Sequence, residues 1–66
     1  MRKQKDARPG MKFSDDRGLL NVVLGKEGGV DGGSTFAWAV YDFSRMWQIV
    51  RVPFDGEKDL PFFDEI

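Results

Sequence analysis

Sixty-six residues allow one domain, and the absence of Cys and His removes disulfide staples, thiolate nucleophiles, zinc fingers and the usual physiological-pH base. Hydrophobic residues make up 41%, charged residues 32% and aromatics 14%, which excludes a purely disordered chain, and the longest apolar run, residues 36–41, is too short for a membrane-spanning helix. The net charge of −1 decides little, but its distribution is polar. Residues 1–12 carry Arg2, Lys3, Lys5, Arg8 and Lys12 against Asp6 alone, and residues 55–66 carry Asp55, Glu57, Asp59, Asp64 and Glu65 against Lys58. Such ends can attract each other, or present one to nucleic acid and the other to a basic partner. The head has no apolar signal-peptide region, and with no Cys the expected location is cytoplasmic.

Along the chain, Pro9-Gly10 marks where ordered structure is expected to begin. Met11-Lys12-Phe13 reads as a short strand. Ser14-Asp15-Asp16-Arg17-Gly18 reads as a turn, since Ser and Asp bond their own backbone and Gly accepts positive φ. Leu19-Leu20-Asn21-Val22-Val23-Leu24, flanked by Gly18 and Gly25, is too short for a stable helix and reads as a buried strand. Leu20, Val22 and Leu24 are expected to face the core. Residues 25–33 contain five glycines and read as a flexible loop.

Residues 34–53 admit two readings. As a hairpin, strands at 35–41 and 46–53 flank a four-residue loop, Asp42-Phe43-Ser44-Arg45. One face then carries Phe36, Trp38, Val40, Trp47, Ile49 and Arg51, and the other Ala37, Ala39, Tyr41, Gln48, Val50 and Val52. As a helix starting near Thr35, Phe36, Val40, Phe43, Trp47 and Val50 form one apolar stripe behind a Ser34 cap. The aromatic and β-branched content of residues 47–52 favours the hairpin. Phe54-Asp55-Gly56-Glu57 reads as a turn, and Pro61 argues against a helix interior or central strand beyond it.

The expected fold is therefore mainly β, a small single-domain antiparallel sheet of two hairpins joined by the glycine loop, with α+β as the alternative. A flexible basic head at 1–10 precedes a compact domain at 11–54 and an acidic, hydrophobic tail at 55–66. Expected core residues are Leu20, Val22, Leu24, Trp38, Val40, Trp47 and Val50. A chain this small buries only roughly 60% of its unfolded surface, so large aromatic core residues or association must supplement the core, and a homodimer is one option.

Catalysis finds no support: Asp15 and Asp16 are adjacent and suit a turn better than an acid/base pair. Leu20 stands where a phosphate-loop spacing ending at Gly25-Lys26 needs glycine. Glu27 and Asp31 alone do not supply a calcium loop. Neither cofactor nor metal is expected. The tail carries the sharpest signal. Asp59-Leu60-Pro61-Phe62-Phe63 sets three large apolar residues among acids, and it loosely resembles the short peptides that dock replication proteins. These are bacterial sliding-clamp peptides and the Pro-Phe tails of single-stranded-DNA-binding proteins. It departs from the first in having Asp59 where Gln is usual, and from the second in continuing to Ile66.

The expected function is a small non-enzymatic interaction module that binds and modulates, by inhibition, a larger cytoplasmic protein. In size and composition it is similar to host-directed inhibitors of bacteriophages. Leu60, Phe62 and Phe63 would be its apolar anchors and Asp59, Asp64 and Glu65 its polar rim, unless the tail folds back and Phe62 and Phe63 plug a core short of volume. The alternative is a single-stranded nucleic-acid binder that stacks bases on Phe36, Trp38 and Trp47, with Arg51, Lys3 and Lys5 on the phosphates. The acidic isoelectric point near 5.2 counts against it.

Overall fold

The computed structural model describes residues 2–28, 33–62 and 64–66. Its strands are β1 (Lys12–Ser14), β2 (Leu20–Gly28), β3 (Ser34–Tyr41), β4 (Trp47–Pro53) and β5 (Asp64–Glu65). They form one antiparallel sheet in the order β4-β3-β2-β1-β5. The mainly β reading holds, and the helix alternative falls because residues 34–41 form β3. The two hairpins share one sheet, to which the tail adds a fifth strand.

The β1–β2 and β3–β4 hairpins are each closed by an aspartate. In the β1–β2 turn, the Asp15 carboxylate accepts from the Arg17 and Leu19 amides at 2.9 and 3.0 Å. The Gly18 amide donates to the Asp15 carbonyl at 3.0 Å, with Gly18 at φ 78°. In the β3–β4 turn, the Asp42 carboxylate accepts from the Ser44 and Met46 amides at 2.9 and 3.0 Å. There the Arg45 amide donates to the Asp42 carbonyl at 3.0 Å, and Arg45 itself takes φ 63°. Each carboxylate also receives a side-chain amide six residues on, from Asn21 and Gln48 respectively, at 3.1 Å. One local device thus recurs as Asp-x-x-Gly-x-x-Asn and Asp-x-x-Arg-x-x-Gln.

The loop from Asp42 to Met46 is one residue longer than expected, and this corrects the face assignment. Tyr41 pairs with Trp47, so Phe36, Trp38 and Val40 lie opposite Val52, Val50 and Gln48. Trp47, Ile49 and Arg51 therefore point to the other side of the sheet, because a one-residue shift exchanges the two faces of a strand. The same parity corrects β2. Asn21 and Val23 face the core, whereas Leu20 and Val22 do not. Asn21 is buried without penalty because its amide donates to Asp15 and to the Leu19 carbonyl. Leu24, expected inside, is the extra residue of a bulge between Val23 and Gly25 and is exposed. Gly25 takes φ 107°, and a Cβ there would lie 3.1 Å from Pro9 Cγ. The expected loop at 25–33 is also shorter, since β2 runs through Gly28; residues 29–32 lie outside the described residues.

The head and tail cover one face of the sheet. They run as an antiparallel pair: the Gln4 amide donates to the Lys58 carbonyl and the Leu60 amide to the Arg2 carbonyl, both at 2.8 Å. Gln4 is buried, and its side-chain oxygen accepts from the Asp55 amide at 3.0 Å. The head at 1–10 is therefore docked rather than flexible over its described length. The turn after Phe54 spans residues 55–58, one residue later than expected, closed by the Lys58 amide on the Asp55 carbonyl.

Beneath this cover Leu60 and Phe62 join Phe13, Leu19, Val23, Phe36, Trp38 and Val40 in the core. Phe62 stacks on Phe13 at 5.1 Å between ring centroids and meets the edge of Trp38 at 5.3 Å. Its truncation leaves a void that neither ring can fill. Phe62→Ala is expected to destabilise the domain by roughly 3–5 kcal/mol, measured by urea denaturation.

Candidate functional site

Among the described residues no second layer lies on the face of the sheet opposite the head and tail. From β4 to β2, its upper rows are Trp47, Tyr41 and Leu20, then Ile49, Ala39 and Val22. Ala39 keeps the centre low, and larger side chains stand around it. Trp47 is 51% exposed and Ile49 46%. The Tyr41 and Trp47 rings lie 5.0 Å apart, so the two aromatics form one raised ridge. The adjoining hairpin tip adds exposed Phe43 and Met46. Lower on the same face the character changes. Arg51 Nε reaches Glu27 Oε2 at 3.4 Å, from β4 to β2 across β3, and Ala37 beneath it is fully buried. The face thus joins an apolar centre to a charged margin.

The residues expected to act from the tail lie elsewhere. Leu60 and Phe62 are 2% and 5% exposed, so they are core residues and not the free anchors expected; the small core draws on the tail for volume. Phe63 lies outside the described residues. Asp59 sits 3.8 Å from Lys3, Glu65 accepts from Arg2 at 2.8 Å, and Asp64 pairs with Ser14 on β5. Asp59 and Glu65 thus face the chain's own basic head.

The expected nucleic-acid set is also divided. Phe36 and Trp38 are buried on the covered face, and Trp47 and Arg51 stand on the open one. Lys5 donates to Glu57 at 2.9 Å and Lys3 to the Glu57 carbonyl at 3.0 Å, which ties both to the tail and away from Trp47 and Arg51. On the covered side a groove of about 310 Å³ runs between β4 and the tail, lined by Trp38, Val50, Val52, Gln4 and Pro61, with Lys58 and Asp59 at its rim. Among the described residues no three His, Cys, Asp or Glu side chains gather as a metal site requires. None of the described helices is long and apolar enough to cross a membrane.

Comparison with protein families, with curated proteins and with solved structures returns no match. The surface must be read from its own chemistry. Sequence reasoning missed it because the face assignment of Trp47 and Ile49 hung on the hairpin loop; the repeated Asp and amide spacing was the available signal.

The turn that orders the covered face is itself ionisable. Burial opposes ionisation of Asp15, but hydrogen bonds from the Arg17 and Asn21 side chains and the Leu19 and Arg17 amides outweigh it and lower its pKa to about 2. Asp42 is lowered in the same way, chiefly by the Met46 amide and then by Ser44. A folded-state value below the unfolded 3.8 makes this stabilisation fully present above the unfolded value and lost as pH falls through the folded one. For Asp15 it amounts to roughly 1–2 kcal/mol once screening is allowed for. Urea titrations should show wild-type stability falling between about pH 4 and pH 2, with a smaller fall in Asp15→Asn.

Proposed function

We propose that this protein is a non-enzymatic interaction module that binds a larger protein through its open sheet face and modulates it by covering the site it occupies. The observation that supports this is the ridge of Tyr41 and Trp47 with Ile49 beside it, exposed on a face that no part of the described chain covers. Aromatic side chains of this kind dominate binding energy when a partner desolvates them. The flat floor of Ala39 and Val22 suits a partner that brings a protruding apolar element. In the margin Arg51 is paired with Glu27 and Lys12 leaves a net charge of +1, so the partner's rim need not be strongly acidic or basic. So small a positive charge also weighs against a phosphate backbone as the ligand.

Affinity capture from a lysate of the source organism tests this reading. Wild-type protein and the double variant Tyr41→Ser with Trp47→Ser would serve as baits, with Asp6→Ala as a control on the covered side. The wild type and the control are expected to retain one partner that the double variant loses by at least about tenfold, a loss of 1.4 kcal/mol or more. Equal capture by all three would place the working surface elsewhere. Salt-sensitive quenching of Trp47 fluorescence by single-stranded oligonucleotides would assign a nucleic-acid ligand instead. Trp47→Ala alone is expected to lower folding stability by less than about 1 kcal/mol, since its side chain is half exposed, whereas a core tryptophan would cost roughly 3–5.

A further inference from the structure

The two edges of the sheet are built differently. β5 offers two residues, both acidic, the short and charged form that discourages pairing with another chain. β4 offers seven, Trp-Gln-Ile-Val-Arg-Val-Pro, with no bulge against β3.

The backbone of β4 has a definite outward set. At one end of the β3–β4 ladder the Asp42 amide donates to the Met46 carbonyl at 2.9 Å, and at the other the Phe54 amide donates to the Ser34 carbonyl at 2.9 Å. Hydrogen-bonded pairs alternate along an antiparallel ladder. Both ends therefore give the same parity: Gln48, Val50 and Val52 bond inward to β3. The amides of Trp47, Ile49 and Arg51 point away from the sheet, as do the carbonyls of these residues and of Pro53. Pro53, which has no amide to offer, falls in the outward set and closes it.

We propose that β4 pairs antiparallel with β4 of a second copy of this chain, about a two-fold axis at Ile49, to give a ten-stranded sheet. In that register Ile49 bonds Ile49 of the other copy, and Trp47 bonds Arg51 in both directions, so every outward amide from 47 to 51 finds a carbonyl. The side chains agree. Trp47, Ile49 and Arg51 share the open face, so Arg51 stands opposite Trp47 of the other copy, where its guanidinium exchanges the exposed 3.4 Å contact with Glu27 for the ring in a favourable cation–π pairing, and the two Ile49 side chains meet on the axis. Centring on Val50 instead makes the two Arg51 side chains diagonal neighbours, and centring on Gln48 sets Arg51 against Arg45. Like charges disfavour both. An isologous contact of this kind closes on itself and does not propagate. The inference concerns the edge and is independent of what binds the open face.

Sedimentation velocity on the wild-type protein from micromolar to millimolar concentration, with amide exchange followed by NMR over the same range, tests it. The mass is expected to double with concentration. The Trp47, Ile49 and Arg51 amides should slow by at least about tenfold as it does, while Gln48, Val50 and Val52 are protected throughout. Ile49→Pro removes one outward donor and no inward one, and is expected to remain monomeric with native near-ultraviolet circular dichroism. A wild-type protein that stays monomeric overturns the proposal. So does a dimer in which the Ile49 and Arg51 amides still exchange freely, which would place the contact on the open face. Should Ile49→Pro fail to fold, the wild-type exchange pattern alone decides.

Discussion

The Asp42 carboxylate accepts the Ser44 and Met46 amides, the Ser44 hydroxyl and the Gln48 side chain, and that set of bonds fixes a five-residue loop. The loop length sets Tyr41 against Trp47, and every face assignment on β4 follows. With one residue fewer, Trp47 and Ile49 would turn toward the head and tail, and Val50 and Val52 would face water. The Asp15 turn fixes β1 against β2 by the same bonds. It adds a constraint of its own, because Asn21, which helps hold the turn, is also the polar residue that the core must accommodate. Two small electrostatic clusters at the same end of the sheet thereby decide which aromatics become core and which become surface.

Once the faces are set, the covered one needs more apolar volume than the strands supply. Leu60 and Phe62 provide it, and the head holds them in place. The ion pairs Arg2–Glu65, Lys3–Asp59 and Lys5–Glu57 are all substantially exposed, where such pairs contribute little stability. The backbone ladder between head and tail and the buried Gln4 carry more of the load, because they satisfy groups that are sealed from solvent. The opposed charges at the two ends act mainly by favouring their encounter. The acidic isoelectric point and basic head describe a chain that neutralises itself across its termini.

The strand content was legible where propensity and context agreed: the Val-rich stretch between Gly18 and Gly25, and the aromatic, β-branched stretch around Trp47. The turn at Asp15 was legible from its side-chain chemistry. What could not be read was parity. In Leu19-Leu20-Asn21-Val22-Val23-Leu24 both alternating sets are largely apolar, so hydrophobicity cannot choose between them. Asn21 points the wrong way unless its partner Asp15 is recognised. In β4 the choice rested on whether Met46 belongs to the loop, and Met is acceptable in either place. The tail stayed open between two readings for a related reason. An exposed anchor and a core plug have the same composition, and only the small size of the core argued for the second.

Folding requirements account for the covered face and for the lower part of the open one, where Thr35, Arg51 and Glu27 are ordinary solvent-facing strand residues. Trp47, Tyr41 and Ile49 serve the strand as a cross-strand aromatic pair and a β-branched residue, but threonine in their place would expose less apolar surface. Ala39 among them is buried by its larger neighbours and lowers the floor that the ridge frames. The same strand that carries this ridge also presents the long unprotected edge, while the opposite edge is short and acidic. Exposed apolar side chains and the longer sheet edge are therefore concentrated on β4 and its β3 neighbour, at the end of the strand order opposite β5. Among the described residues the head and tail lie on one face, so the ridge on the other is the surface that remains for the proposed partner.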